Sequence, residues 1–180
     1  MIWIGPEPAT AVPAREVLLD RAFGPARRQK TAERLREGRI PAAGLSFAAI
    51  DDAAPGETGK LVGTLRFWNV RLGSVDALLL GPVAVDDAQR NKGLGGRMIR
   101  RGLAAASALG HRAVILVGDA PYYSRFGFAA EPAQRLRLPG PVDPRRFLAL
   151  ALVPGALSRA EGLVRPSGLL ATATRCERVA

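Results

Sequence analysis

Residues 83–97 have the sequence VAVDDAQRNKGLGGR. An apolar run ends in a polar turn, and three glycines then open a segment with helical periodicity. Glycine lets the backbone approach a ligand closely and point successive N–H groups toward it. The first turn of a helix adds unpaired N–H donors and the positive end of the helix dipole. The stretch therefore predicts a strand, a loop and a phosphate-binding helix N-terminus, where Arg90, Lys92 and Arg97 could add charged hydrogen bonds.

Two other phosphate loops fit this stretch poorly. A Walker A loop needs Lys followed by Ser or Thr after its last glycine, whereas Gly95 is followed by another glycine. A Rossmann fingerprint needs a glycine at position 98, where this chain has methionine. A third alternative is purely structural, with the glycines making a tight turn and close helix packing.

The sequence before this stretch predicts a sheet. Leu45–Ile50 and Lys60–Val70 are apolar runs separated by a turn-rich segment, so they predict an antiparallel pair. After a turn at Arg71–Ser74, Val75–Val85 predicts a third strand. It contains Gly81-Pro82, and because proline lacks a ladder donor and glycine has no side chain to pack, this pair predicts a bulge or splay.

The sequence after it predicts a parallel step. Leu94–Leu109 is an amphipathic helix and Ala113–Val117 a buried strand, which together with the preceding strand make a βαβ unit. A short helix at Pro121–Phe126 and a late strand at Phe147–Val153 follow. The predicted inward residues of the long helix are Leu94, Met98, Leu103, Ala106 and Leu109, with Arg97, Arg100 and Arg101 facing outward.

The N-terminal part predicts a strand at Ile2–Ile4 and a helix at Ala14–Phe23 that begins near Pro13. Arg27–Arg36 is polar and predicts an exposed helix that ends near Gly38. We therefore expect one α/β (α+β) domain over residues 1–180, with a mixed, mostly antiparallel sheet and helices on both faces.

Composition narrows the classes of function. The chain has 180 residues and a net charge of +10, but only three lysines, and its arginines are scattered with no nucleic-acid-binding motif. One cysteine, Cys176, and one histidine, His111, cannot make a disulfide or a Cys/His metal site, so no metal is expected. Residues 1–13 lack a signal-peptide pattern and the apolar runs are too short for a bilayer. We expect a cytoplasmic protein with no membrane partner.

Two motifs carry a resemblance to a known family. Arg90–Gly95 matches the pattern Gln/Arg-x-x-Gly-x-Gly/Ala, and Tyr123–Phe128 matches Tyr-x-x-x-Gly-Phe. Both occur, in this order, in the GNAT superfamily of N-acetyltransferases, which the sequence resembles over roughly residues 14–153. Within that superfamily, Gly81–Val85 and Pro121–Phe128 are most like a bacterial subgroup of N-acetyltransferases.

The resemblance implies a cofactor site in the core motif, residues 78–128. The family's fourth strand splays from the fifth and makes a cleft for the pantetheine arm of acetyl-CoA, the co-substrate. Backbone groups of Val83 and Val85 would pair with the pantetheine amides, and an N–H at Val83 would polarise the thioester carbonyl. The implied cofactor-binding residues are Val83, Ala84, Val85, Arg90, Asn91, Lys92, Gly93, Leu94, Gly95, Gly96, Arg97 and Tyr123.

The resemblance also implies the reaction, which is transfer of an acetyl group from acetyl-CoA to a primary amine of a small molecule or protein by direct attack in a ternary complex. Tyr123 is the candidate acid for the leaving thiolate. No base is identifiable: Asp119 is expected to cap the next helix, and Glu57 and Asp76 are loop residues without an assigned role.

Other readings stay open from the sequence. A non-catalytic acyl-CoA-binding or regulatory module would keep the cleft without the chemistry, and a basic nucleic-acid partner is a third, weaker reading. His111 is expected to be an exposed, solvated ring, and Trp3 and Trp68 to be core residues. The expected substrate loops, 26–44 and 132–146, carry no recognisable chemistry. The acceptor stays unidentified and a homodimer is one option.

Overall fold

One eight-stranded mixed sheet organises the chain in the computed structural model, which describes residues 1–52 and 59–171. Glu57 and Cys176 lie outside the described residues. The main strand order is β1-β2-β3-β4-β5-β7, with β8 pairing with β3 and β6. Pairing is antiparallel except between β4 and β5 and between β6 and β8. The strands are β1 (Ile2–Pro6), β2 (Ser46–Asp51), β3 (Lys60–Gly73), β4 (Val75–Val85), β5 (Ala113–Val117), β6 (Leu136–Arg137), β7 (Phe147–Ala151) and β8 (Ala160–Pro166).

Helices cover both faces of this sheet, as the sequence predicted. They are α1 (Val12–Phe23), α2 (Leu94–Ala108) and α3 (Ala120–Tyr123). Helix α2 packs on one face, where Met98 and Ile99 are buried with Leu65 and Phe67 of β3. Helix α1 packs on the other face against alanines of β2 and β4. The mostly antiparallel sheet with one parallel step at β4–β5 confirms the predicted fold class.

Strand β8 is absent from the sequence-based prediction. Its sequence, AEGLVRP, has little apolar character, and only Ala160 and Val164 of it are buried. It pairs with the second half of β3, from Val70 to Gly73, and so extends β3 beyond the predicted end at Val70. The predicted turn at Arg71–Ser74 is therefore confined to its last residues.

The predicted exposed helix at Arg27–Arg36 is wrong. The segment forms two short 3-10 helices, Pro25–Gln29 and Thr31–Leu35, separated by Lys30 in an extended conformation. Arg27 is buried because its guanidinium donates to Asp20 at 2.7 Å and to Glu16 at 2.5 Å, both on α1. These ion pairs to α1 override the local helical propensity. They could not be predicted from the sequence because ion pairs between elements follow no periodic pattern.

Helix α2 buries most of the predicted inward residues. Leu94, Met98 and Ala106 lie in the core, whereas Leu109 caps the C-terminus and is 56% exposed. The buried face instead includes Gly102, where a Cβ would lie 2.7 Å from the Phe67 ring. Small side chains thus bring α2 close to β3, and this contact fixes where the N-terminus of α2 lies relative to β4.

We predict that Gly102→Ala destabilises the protein despite the better helix propensity of alanine. Phe67 is fully buried, so its ring cannot move aside without repacking the core. We expect a loss of roughly 1–3 kcal/mol in the free energy of unfolding, measured by urea denaturation. Ser107→Ala, at an exposed position of the same helix, is the control and should change stability little. A Gly102→Ala protein as stable as the control would contradict the close approach.

Candidate active site

Strands β4 and β5 separate after a short paired stretch. They pair only at Leu78 with Val114 and Leu79 with Ile115, although β4 runs on to Val85 and β5 to Val117. On its other side, β4 stays paired with β3 up to Val85. A cleft therefore opens within the sheet, with the continuation of β4 as one wall and the end of β5 as the other.

A bulge in β4 lies where the strands separate. The register with β3 shifts between Leu80 and Val83, so Gly81 and Pro82 together oppose Arg66. Gly81 has a φ of +131°, a conformation that favours glycine, and its peptide bond to Pro82 is cis. The indole Nε1 of Trp68 donates to the Gly81 carbonyl at 2.6 Å, which holds the bulge from β3. The bulge is at the pair that the sequence indicated.

The backbone of β4 beyond the bulge faces the cleft at alternate residues. The Asp86 amide donates to the Val62 carbonyl of β3 at 2.9 Å. Because backbone groups alternate sides along a strand, those of Ala84 also face β3, and those of Val83 and Val85 point away from it. The Ala84 side chain is buried against α1. Val83 and Val85 thus offer N–H and C=O groups to a ligand in the cleft.

The cleft holds a cavity of about 610 Å³. Val83 lines one wall, and Val117 and Tyr123 line the opposite wall. Its open side is covered by the two segments that the sequence marked as substrate loops. Thr31 donates to the Pro141 carbonyl, and Arg34 donates to the Pro139 carbonyl, both at 2.6 Å. These two bonds join the loops into a roof over the cleft.

The N-terminus of α2 lies at the glycine-rich loop. Gly93 is its N-cap with a φ of +76°, and a side chain at Gly95 would lie 3.0 Å from the Tyr122 hydroxyl. Gly96 has room for ordinary contacts. Backbone conformation therefore explains the glycine at position 93, and close packing explains the one at position 95. The first turn of the helix also leaves N–H groups without helical partners.

The other loop residues differ in what they present. Asn91, Lys92 and Arg97 are exposed, and Arg90 is also exposed but pairs with Asp87 at 2.8 Å. The Leu94 side chain is buried in the core, so only its backbone can contact a ligand. The loop thus combines backbone donors with exposed cationic side chains.

The two adjacent tyrosines take different positions. Tyr123 lines the cleft, and its ring lies so close to Gly118 that a Cβ there would be 2.2 Å away. Burial raises the pKa of Tyr123 to about 12, with further contributions from Tyr122 and Asp119 and an opposing one from Arg146. The Tyr122 hydroxyl instead lies against Gly95. Tyr123 is therefore a neutral phenol and a hydrogen-bond donor at neutral pH.

Three carboxylates line the cleft: Glu33, Asp119 and Asp143. Asp119 caps α3 by accepting from the Tyr122 amide at 3.3 Å, which confirms the expected cap. Asp143 caps a 3-10 turn and is held by Arg145. Glu33 pairs with Arg36 at 2.9 Å. The sequence analysis missed Glu33 because it lies in a polar stretch without a motif, and only the fold brings it to the cleft.

The remaining sequence candidates lie elsewhere. His111 is half-buried rather than exposed, which lowers its pKa, and it does not line the cleft. Asp76, expected in a loop, instead lies in β4 next to the turn from β3 and pairs with Arg71 at 2.7 Å. Trp68 is a core residue as expected, but Trp3 is 48% exposed and covers Gly5 on the edge strand β1.

Two kinds of feature, a metal site and a membrane-spanning helix, are absent from residues 1–52 and 59–171. No cluster of three or more His, Cys, Asp or Glu side chains there could hold a metal ion. No helix within those ranges has the length and apolar character to cross a bilayer.

Comparison with known proteins identifies relatives. The family model described as an acetyltransferase (GNAT) domain matches residues 43–130. The chain is 32% identical to the uncharacterized N-acetyltransferase YhbS of Escherichia coli K12, over 84% of this chain and 88% of that protein. The crystal structure of Escherichia coli YhbS in complex with CoA has a TM-score of 0.76 at 30% identity, covering 92% of this chain and 89% of that one. A GNAT acetyltransferase from Brucella melitensis in complex with acetyl-CoA has a TM-score of 0.67 at 28% identity, covering 93% and 96%.

We predict that Tyr123 titrates with a midpoint near pH 12 in the folded protein. The chain has only two tyrosines, so Tyr122→Phe leaves Tyr123 as the sole phenol. Its phenolate absorbance at alkaline pH should appear well above that of the urea-unfolded variant, near 10, because burial, the largest cause of the raised pKa, remains when the contribution of Tyr122 is removed. Because the raised pKa favours the folded state below pH 10 and this advantage is lost toward pH 12, far-UV circular dichroism must confirm folding at each point. A midpoint near 10 with native dichroism would contradict the burial of this phenol.

Proposed function

The chain belongs to the GNAT family of N-acetyltransferases, and we propose that it transfers an acetyl group from acetyl-CoA to a primary amine by direct attack in a ternary complex. The observation that carries the proposal is the cleft between β4 and β5. Val83, whose backbone points away from β3, lines one wall of its cavity, and Tyr123 lines the other. Relatives with 28–30% identity over most of the chain were solved with CoA or acetyl-CoA, which supports this choice of co-substrate.

The cofactor would be held mainly by backbone groups. Val83 and Val85 would pair with the pantetheine amides as a neighbouring strand would, because their own strand partner is missing at this point. The first-turn amides of α2 from Gly93 onward would bind the pyrophosphate, with Lys92 and Arg97 adding charge from the surface. This division explains why the loop needs glycines more than specific side chains.

The chemistry needs one base and one acid. An ammonium ion must lose a proton before its nitrogen attacks the thioester carbon, and the Val83 N–H would stabilise the resulting oxyanion. As the C–S bond breaks, the thiolate takes a proton from Tyr123, and the second proton lost by the new amide nitrogen restores the Tyr123 phenol. The products are the N-acetylated amine, CoA and one released proton.

Glu33 is our candidate for the base. Of the three cleft carboxylates, Asp119 and Asp143 are both occupied in capping turns. Glu33 has no such role, and it lies on the roof of the cleft with its side chain 27% exposed. Its ion pair with Arg36 fixes its position, as a proton acceptor requires.

A negative charge added at the glycine-rich loop should weaken cofactor binding without an effect on folding beyond that of a neutral side chain of the same size. We predict that Gly93→Glu binds CoA at least about tenfold more weakly than Gly93→Gln, because the added carboxylate repels the pyrophosphate. Both variants carry the same strain at a positive φ, and no atom lies within 4 Å of a Cβ there, so their difference isolates charge. Calorimetric titration of CoA and acetyl-CoA measures it. Equal affinities of the two variants would show that the pyrophosphate does not bind at this loop. If the wild type bound neither CoA nor acetyl-CoA, the proposed function would be wrong.

The roles of Tyr123 and Glu33 can be tested by kinetics. We predict that Tyr123→Phe and Glu33→Gln each lower kcat by roughly 100-fold or more while the Kd for CoA is unchanged. Free-thiol release from acetyl-CoA with a panel of amines is the assay, and Ser107→Ala is the matched control. Wild-type rates in either variant would exclude that residue from proton transfer. CoA binding with no thiol release by the wild type from any amine would favour a non-catalytic CoA-binding module.

A further inference from the structure

A second, smaller cavity adjoins the cleft. It has a volume of about 260 Å³ and shares Arg27, Glu33, Arg36 and Pro82 with the cleft. From this common wall it extends to Arg66 and Trp68 of β3, beneath the bulge. Tyr123 and the end of β5, which line the opposite wall of the cleft, do not reach it. We call it the arginine pocket, and it lies on the β4 side of the site, next to the residue whose N–H would face the thioester.

The arginines of the arginine pocket differ in their ion pairing. Four arginines and three glutamates line it: Arg27, Arg28, Arg36, Arg66, Glu16, Glu33 and Glu37. Arg27 and Arg28 both lie near Glu16, and Arg36 pairs with Glu33. No ion pair among the described residues includes Arg66. Arg27 also pairs with Asp20, at 2.7 Å, so Arg66 is the arginine of this pocket that lacks an ion-pair partner in the described part of the chain.

Arg66 is also deeply buried. It is 9% exposed, and within residues 1–52 and 59–171 neither its Nε nor that of Arg36 has a hydrogen-bond partner. Its guanidinium lies 5.2 Å from the centre of the Trp68 ring, a contact that attracts the cation but satisfies none of its N–H donors. Burial lowers the pKa of Arg66 to about 10, so it is still charged at neutral pH. A buried charge without a partner costs stability, which a bound anion would recover.

We propose that the arginine pocket binds the carboxylate of the acceptor, so that the amine acetylated by this enzyme belongs to a small amino acid or a similar aminocarboxylic acid. This inference rests on the proposed transferase function. A planar guanidinium binds a planar carboxylate through two parallel hydrogen bonds. The one guanidinium without an ion-pair partner in the described residues, that of Arg66, matches a singly charged carboxylate better than a doubly charged phosphate.

The pocket also orients such an acceptor. Glu33 lies on the wall shared with the cleft, where it would hold the ammonium group of the same molecule. The Arg36 Nη1 is 3.8 Å from the position of a Cβ on Gly81, beside the bulge that leads to Val83. With its carboxylate at Arg66 and its amine at Glu33, the acceptor would point its nitrogen from the arginine pocket into the cleft.

The test compares amines with and without a carboxylate. Thiol release from acetyl-CoA is measured with the proteinogenic amino acids, with the amines that their decarboxylation gives, and with O-phosphoethanolamine and taurine. At least one amino acid should react with a kcat/KM about 100-fold above that of its decarboxylated counterpart. Equal or higher rates for the decarboxylated amines would overturn this inference while leaving the transferase function standing. A preference for O-phosphoethanolamine or taurine would show that the pocket binds a phosphate or a sulfonate, and would overturn the inference that it binds a carboxylate.

Arg66→Met is the decisive variant, since methionine fills space without charge. In this variant, the ratio of kcat/KM for the amino acid to that for its decarboxylated counterpart should fall at least about tenfold relative to the wild type, because KM for the amino acid rises. The Kd for CoA should equal that of the wild type. Its thermal midpoint should not fall, because an uncompensated buried charge is removed. Arg101→Met, on the exposed face of α2, is the control. An unchanged preference in Arg66→Met overturns the proposal.

Binding without turnover is followed separately. The same amino acids, added without acetyl-CoA, should raise the thermal midpoint of the wild type and not that of Arg66→Met. Absence of any such shift, together with absence of turnover, overturns the arginine pocket as a carboxylate site. If the wild type did not bind CoA, the transferase function itself would instead be refuted.

Discussion

Beyond Leu79 and Ile115, strands β4 and β5 no longer exchange hydrogen bonds, and the rest of the site depends on this loss. The bulge at Gly81 and Pro82 bends β4 while β3 keeps its hold on it through the indole of Trp68. Backbone groups beyond the bulge are then left without a strand partner, although they lie inside the sheet. Unpaired backbone groups at such a place need a partner, and a ligand that carries amides can supply one.

The same separation explains why neighbouring elements meet there. Helix α2 follows β4 directly, so its N-terminus lies at the end of the strand that leads out of the cleft. Asp86 fixes the intervening loop by accepting from the Ala88 amide and pairing with Lys60. The close contact of Gly102 with β3 sets the distance of the helix from the sheet. The proposed cofactor binding would therefore depend on backbone geometry, with little demand on side chains.

The side of the cleft that we propose for the acceptor is built differently, from charged side chains on an irregular segment. Residues 25–36 are held to α1 by the ion pairs of Arg27 and to the 139–141 loop by Thr31 and Arg34. Such bonds can be exchanged for others without disturbing the apolar core. A segment of this kind can change its specificity while the cleft stays the same, which is why fold and cofactor leave the acceptor open.

The sequence by itself determined the parts whose cause is local. Several features are each encoded within a few consecutive residues: the apolar run of β4, its Gly-Pro interruption, the glycines before α2 and the short β5. The structure has them at the predicted positions. Only the tertiary structure decided the pairing of β8 with β3, the broken helix at residues 25–36 and the meeting of Glu33, Arg36 and Arg66. The strand pairing and the approach of Arg36 to Arg66 join segments far apart in the chain, and the ion pairs of Arg27 reach 7 and 11 positions back to α1. Such interactions have no periodicity, so no local pattern in the chain records them.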